Sequence, residues 1–122
     1  MKKILFVEDE PNLQKAIGEL LKQEGFQFFE ALDGVQGLEV AKEEKPDLIL
    51  LDLILPKKDG FEVLKELKAD GKLKSIPVII LSNLEGTGDV EKALELGATT
   101  YLVKANYELS DVLDLIKNNL PK

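Results

Sequence analysis

The chain of 122 residues contains no cysteine, no histidine and no tryptophan. Without cysteine there is no disulfide and no thiolate nucleophile. Without histidine there is no imidazole base, and with both missing the usual zinc ligands are gone. Any bound metal is then a hard cation held by oxygen, with Mg²⁺ the natural candidate. Positive charge is also short: 16 basic residues face 23 acidic ones, a formal net charge of −7. That argues against direct binding to nucleic acid or to an anionic membrane through a broad basic face. Near the amino end, the apolar run Ile4-Leu5-Phe6-Val7 is stopped by Glu8. It is too short for an export signal or a membrane span. We expect a soluble, cytoplasmic protein.

What the chain does have is 44% apolar residues, enough to fill one core at this length. The spacing predicts a strand at Ile4–Val7, then a helix with Leu13, Ala16, Ile17, Leu20 and Leu21 on one stripe. Pro11 suits its first turn and Gly25 its end. A second strand is expected at Phe26–Ala31. Asp33 then caps a helix that turns Val35, Leu38, Val40 and Ala41 inward. The run Leu48–Leu55 reads as a buried third strand. Asp59 caps a helix with Phe61, Val63, Leu64 and Leu67 inside. A fourth strand is expected at Ile76–Leu81, with Pro77 at its start. After a loop over Asn83–Gly88, Asp89 is expected to cap a helix that carries Val90, Ala93 and Leu94 and stops at Gly97. Thr99–Val103 reads as the fifth strand. The last helix shows Leu109, Val112, Leu113, Ile116 and Leu120. Strands thus alternate with helices, which implies right-handed crossovers and a parallel sheet covered on both faces.

The chemistry collects at the carboxyl ends of these strands, where open α/β sheets bind ligands. Asp52 is the single charge in Leu48–Leu55. A dry, unpaired carboxylate there would cost several kcal/mol. It must sit at the mouth of the strand, within reach of water or a cation, or be neutral. The first strand ends in Glu8 and Asp9, the fourth in Ser82 and Asn83, and the fifth in Lys104. Asp33-Gly34 lies one turn further out. Taken singly each has a plainer role: Glu8 and Asp9 at a helix N-terminus, Ser82 in a turn, Lys104 reaching to water. Together they are harder to dismiss. Two unit charges about 4 Å apart interact by roughly 4 kcal/mol at an effective dielectric near 20. Clustered acids therefore call for a divalent cation and a lysine, and the nucleophile of such a site would be a carboxylate.

On the acidic pair Glu8-Asp9, the context Leu51-Asp52-Leu53-Ile54-Leu55-Pro56 with Asp59-Gly60, then Ser82, Tyr101 and Lys104, the chain resembles the response-regulator receiver domains of two-component signalling. The likeness to single-domain, chemotaxis-type members covers essentially all of residues 1–122. It implies a flavodoxin-like, doubly wound α/β sandwich of three layers, with a five-stranded parallel sheet in the order 2-1-3-4-5. It also implies that Asp52 accepts a phosphoryl group from a histidine kinase's phosphohistidine or from a small phosphodonor. Asp9 would ligate Mg²⁺ directly and Glu8 mainly through water, with Asp52 and the backbone carbonyl of Ile54 completing the protein's share. Lys104 would pair with the phosphoryl oxygens, Ser82 would donate to them, and Tyr101 would turn inward behind Ser82. Such a protein is a signalling phosphoprotein that promotes its own phosphorylation and dephosphorylation, rather than an enzyme with a separate substrate.

Three positions depart from the family's habit. Glu8 stands for a common Asp, Asn83 for a small residue, and Ala105 for a proline often preceded by a cis bond. Ile54 and Leu84 lie two residues beyond Asp52 and Ser82, where polar groups in some members orient a hydrolytic water. We expect these apolar side chains to exclude it. The competing readings are a pseudo-receiver that is never phosphorylated, a phosphohydrolase with Asp52 as nucleophile, and an FMN-binding flavodoxin. The complete acid–hydroxyl–lysine set opposes the first. Ile54, where a second Asp would be needed, opposes the second. The acids after the first strand, which would repel phosphate, oppose the third. With no output domain in the sequence, the expected partners are a sensor histidine kinase or phosphotransfer protein and a downstream effector. The effector would meet the face formed by helix four, strand five and helix five, with the protein a monomer or a phosphorylation-dependent dimer.

Overall fold

The computed structural model describes residues 1–84 and 86–120, the side chain of Thr87 excepted. Glu85, in the loop expected before helix four, lies outside the described residues. The elements are β1 (Lys3–Val7), α1 (Pro11–Gln23), β2 (Gln27–Ala31), α2 (Gly34–Glu44), β3 (Leu48–Leu51), α3 (Gly60–Ala69), β4 (Val78–Ser82), α4 (Thr87–Glu95), β5 (Thr100–Val103) and α5 (Leu109–Asn119). All strand pairs are parallel, in the order β2-β1-β3-β4-β5. This is the doubly wound arrangement expected from the sequence.

Alternation along each strand divides the core in two. Ile4, Phe6, Leu48, Leu50, Ile79 and Leu81 pack under α1 and α5 with Ile17, Leu21, Val112 and Ile116. Leu5, Val7, Ile49, Leu51, Val78 and Ile80 face the other way, onto Leu38 of α2, Val63 and Leu64 of α3 and Ala93 of α4. β1, β3 and β4 are apolar on both faces because both are covered. Among the described residues no helix is long and apolar enough to cross a membrane.

Several local expectations need correction. The third strand stops at Leu51, so Asp52 and Leu53–Leu55 belong to the loop beyond it. Asp52 is therefore at the strand's mouth, while Leu53 tucks back into the core and Ile54 is 56% exposed. Val35 is turned outward; the buried face of α2 is Gly34, Gly37, Leu38 and Ala41. The small glycines let α2 lie so close to β1 that a Cβ on Gly37 would meet Val7 at 2.8 Å. Asp89 is not a cap: α4 begins earlier, behind Gly86, which leaves Asp89 in the first turn. There it still complements the helix N-terminus. Leu94 and Leu109 are also largely exposed. The second, fourth and fifth strands start one or two residues later than expected, at Gln27, Val78 and Thr100. Asp33 and Asp59 do cap α2 and α3, accepting from the backbone N–H of Gln36 and Glu62 at 2.8 and 3.0 Å. Gly25 and Gly97 close α1 and α4 with φ of 90° and 109°.

One close approach ties this frame to the site. The N–H of Gly60 donates to the Leu53 carbonyl at 2.9 Å. A Cβ on Gly60 would lie 2.3 Å from the Asp52 carbonyl oxygen. Because the obstacle is backbone, it cannot swing aside. Gly60→Ala is expected to lower unfolding free energy by about 1–3 kcal/mol, read from urea titration. Gly71→Ala, which faces open space, serves as the control with little change.

Candidate functional site

Two hydrogen bonds carry the parallel ladder one step past the strands. Glu8 N–H donates to the Ala31 carbonyl at 2.9 Å, and Asp52 N–H donates to the Val7 carbonyl at 3.0 Å. They set Glu8 and Asp52 side by side at the carboxyl edge. Oxygens of Glu8, Asp9 and Asp52 all lie within 4.8 Å of one another. Glu8 and Asp52 are buried, whereas Asp9 faces solvent.

Lys104 reaches across from the end of β5. Its Nζ donates to Asp52 Oδ2 at 2.9 Å and also to Glu8 Oε1. Asp52 Oδ1 accepts from the N–H of Ile54 at 3.2 Å. Lys104 opens a single 3₁₀ turn, Lys104–Asn106, and its bond to Ala105 is trans. Ser82 ends β4 opposite Val103, wholly buried, and its Oγ has no partner within the protein. Tyr101 is half-buried and its hydroxyl donates to the Leu84 carbonyl at 2.7 Å, which ties β5 to the loop beyond Ser82.

The structure thus brings together Glu8, Asp9, Asp52 and Lys104, with Ser82 buried at the end of the neighbouring strand. Asp33 stays apart: it caps α2 and lies 3.6 Å from Lys57 Nζ. Sequence reasoning missed Gln14. This residue is 1% exposed, and its Nε2 faces the carbonyls of Phe6, Glu8 and Ala31. Its position three residues before Ile17 and seven before Leu21 was the available signal.

Burial pushes the Glu8 carboxyl up to about 8, and the adjacent Asp52 adds to the rise; Lys104 opposes it. For Asp52 burial acts upward too, but the neighbouring Glu8 and the hydrogen bond and charge of Lys104 hold it below the ordinary value. Burial would lower Lys104, yet the same two acids raise it. Glu8 is thus drawn toward its protonated form, and Asp52 and Lys104 toward their charged ones. The three acidic side chains suit a hard cation, whose charge would favour the ionised form of Glu8, since each offers oxygen and Glu8 Oε2 is buried with no partner.

A folded-state value above the unfolded one means the folded chain binds more proton. The Glu8 contribution to stability is therefore complete below about 4.5 and is lost as pH rises through about 8. In chelator, the melting temperature of the wild type relative to Glu8→Gln is expected to fall across that window. A wild-type profile parallel to that of Glu8→Gln would overturn the assignment.

Residues 4–117 match the family described as the response regulator receiver domain. Sporulation initiation phosphotransferase F of Bacillus subtilis (strain 168) is 35% identical over 119 residues, which covers 98% of this chain and 94% of that protein. Among solved structures, the Mn(2+)-bound form of response regulator Rcp1 is 34% identical with a TM-score of 0.84, covering all of both chains. The receiver domain of sensor histidine kinase PA1611 from Pseudomonas aeruginosa PAO1, with a magnesium ion coordinated in its active site cleft, is 30% identical with a TM-score of 0.86. That match covers 96% of this chain and 95% of the other. The chain spans only about half the length of several other curated relatives, among them transcriptional regulators. With the acids and the lysine at one sheet edge and the family match over nearly the whole length, this chain belongs to the response regulator receiver domains of two-component systems.

Proposed function

We propose that residues 1–122 act as one receiver domain that accepts a phosphoryl group on Asp52 and passes the signal on by changing its surface. The observation that carries this is the ammonium of Lys104, held 2.9 Å from a buried yet ionised Asp52. A carboxylate kept charged in so dry a place is a ready nucleophile.

Asp9, Asp52 and the Ile54 carbonyl would hold Mg²⁺, with Glu8 acting through water; the metal-bearing receivers of similar structure support this. When bound, that ion neutralises phosphoryl charge and helps hold the group in line. An oxygen of Asp52 attacks the phosphorus of a phosphohistidine. The new O–P bond forms as the P–N bond breaks, and the imidazole nitrogen keeps the electron pair. Lys104 shifts from the carboxylates to the phosphoryl oxygens. Ser82, whose hydroxyl has no partner in the protein, supplies a second donor. A hydrogen bond to a charged group contributes roughly 1.5–3 kcal/mol, so the two together supply about 3–6 kcal/mol. A swing of a two-state equilibrium from 1:99 to 99:1 needs about 5.5 kcal/mol. Movement of Ser82 toward the phosphoryl group would free space for Tyr101, which now holds the Leu84 carbonyl. The surface of α4, β5 and α5 would change with it. A sensor kinase or phosphotransfer protein is the donor, and an effector protein reads that surface.

Incubation with acetyl phosphate and Mg²⁺ is expected to add one phosphoryl group by intact mass, and Asp52→Ala to add none. No adduct, or one that survives Asp52→Ala, would leave a pseudo-receiver in its place.

The apolar Ile54 and Leu84 bear on how long the adduct lasts. Neither can hold a water in line for hydrolysis. The acyl phosphate is expected to outlast that of Ile54→Asn in a decay time course. A wild-type half-life of seconds, unchanged by the substitution, would refute this.

A further inference from the structure

We propose that Gln14 is a positioning residue for the acidic pair: its side-chain amide fixes the backbone from which Glu8 and Asp9 are aimed at a divalent cation. This rests on the metal-assisted reading above.

Gln14 closes the first turn of α1 on its buried face. Its Nε2 is 2.8 Å from the Phe6 carbonyl, 3.1 Å from that of Glu8 and 3.0 Å from that of Ala31. Only the nitrogen end of the amide fits there, because an oxygen would face three carbonyl oxygens. Two N–H groups serve the three acceptors, so one bond is shared. The grip falls on both sides of Glu8. Its own carbonyl is held directly, and the Ala31 carbonyl, which also accepts the Glu8 N–H at 2.9 Å, is held from behind. The peptide joining Glu8 to Asp9 is thereby pinned to α1.

The other end of the side chain shows what the residue is not for. Gln14 Oε1 is buried with no partner in the protein. An apolar residue would fill the same space and leave no orphaned oxygen. A buried glutamine with one end unsatisfied, and the other on the carbonyl that joins Glu8 to Asp9 and on the carbonyls flanking it, suits an orienting role. Groups that orient metal ligands in this way typically change metal affinity by about 10–100-fold when removed.

The test uses the full chain and calorimetric Mg²⁺ titration. Gln14→Met keeps length and burial but removes both N–H donors. It is expected to weaken Mg²⁺ binding about 10–100-fold and to speed exchange of the Glu8 amide hydrogen in metal-free protein. Ile17→Val, one turn further along the same buried face, loosens packing without touching these carbonyls and is expected to bind as the wild type. Should Gln14→Met fail to fold, Gln14→Asn, which draws the amide back by one methylene, carries the comparison with a smaller loss. Wild-type affinity in the Gln14 variant that folds, or an equal loss in Ile17→Val, would overturn the proposal. A wild type indifferent to Mg²⁺ would instead sink the reading of the site itself, whatever the amide exchange showed.

Discussion

The ammonium of Lys104 between Glu8 and Asp52 is the contact on which the rest of the carboxyl edge depends. Two acids side by side in a buried place repel, and one of them alone would shed its charge. The lysine favours the charged form of Asp52, while burial favours the protonated form of Glu8. Removing one partner of such a cluster leaves an uncompensated buried charge, which costs far more than the cluster contributes as a whole. The triad is thus better understood as a poised site than as a source of stability. Its unpartnered atoms, Glu8 Oε2 and Ser82 Oγ, support that view, since buried polar groups in a purely structural cluster are normally satisfied.

The frame keeps this site rigid by bringing backbone close. α2 presses Gly37 onto Val7, and α3 begins with Gly60 against the carbonyl of Asp52. The loop between Asp52 and Gly60 includes Lys57 in the left-handed region at φ 68°, a conformation that side-chain-bearing residues seldom adopt. By contrast, the opposite wall is made of side chains: Tyr101 is joined to the Leu84 carbonyl by a single hydrogen bond. One wall is fixed by steric contact between main chains and the other by a bond that a rotamer change can release. That asymmetry favours the β4–β5 side for the response proposed above.

The alternation of elements, the parallel sheet and the acids at strand ends were legible in the sequence because burial on both faces writes long apolar runs and the turns are marked by Asp, Gly and Pro; the strand order came from the family resemblance. Where the reading slipped, the cause was local. Leu53 and Leu55 look like strand residues, but they turn inward from a loop, and hydrophobicity alone does not separate the two. Val35 fits a helical stripe by spacing; the small Gly34 and Gly37 were the true contact face, because α2 lies too close to the backbone of Lys58 at the first and to Val7 of β1 at the second for anything larger. Asp89 has the chemistry of a cap, yet Gly86 occupies that place and the helix starts sooner. Gln14 escaped because an amide on a buried face reads as an interruption until its three acceptors are seen. The pairing of Lys104 with Glu8 as well as Asp52 required the real length of the glutamate arm, which no spacing rule supplies.

Glu8 and Lys104, which meet at the centre of the site, stand 96 positions apart in the chain. The chain as far as β5 must therefore be in place before the acids find their counter-ion. A nascent or truncated chain lacking β5 would carry the acidic half alone and could not hold Asp52 in its ionised, lysine-paired state.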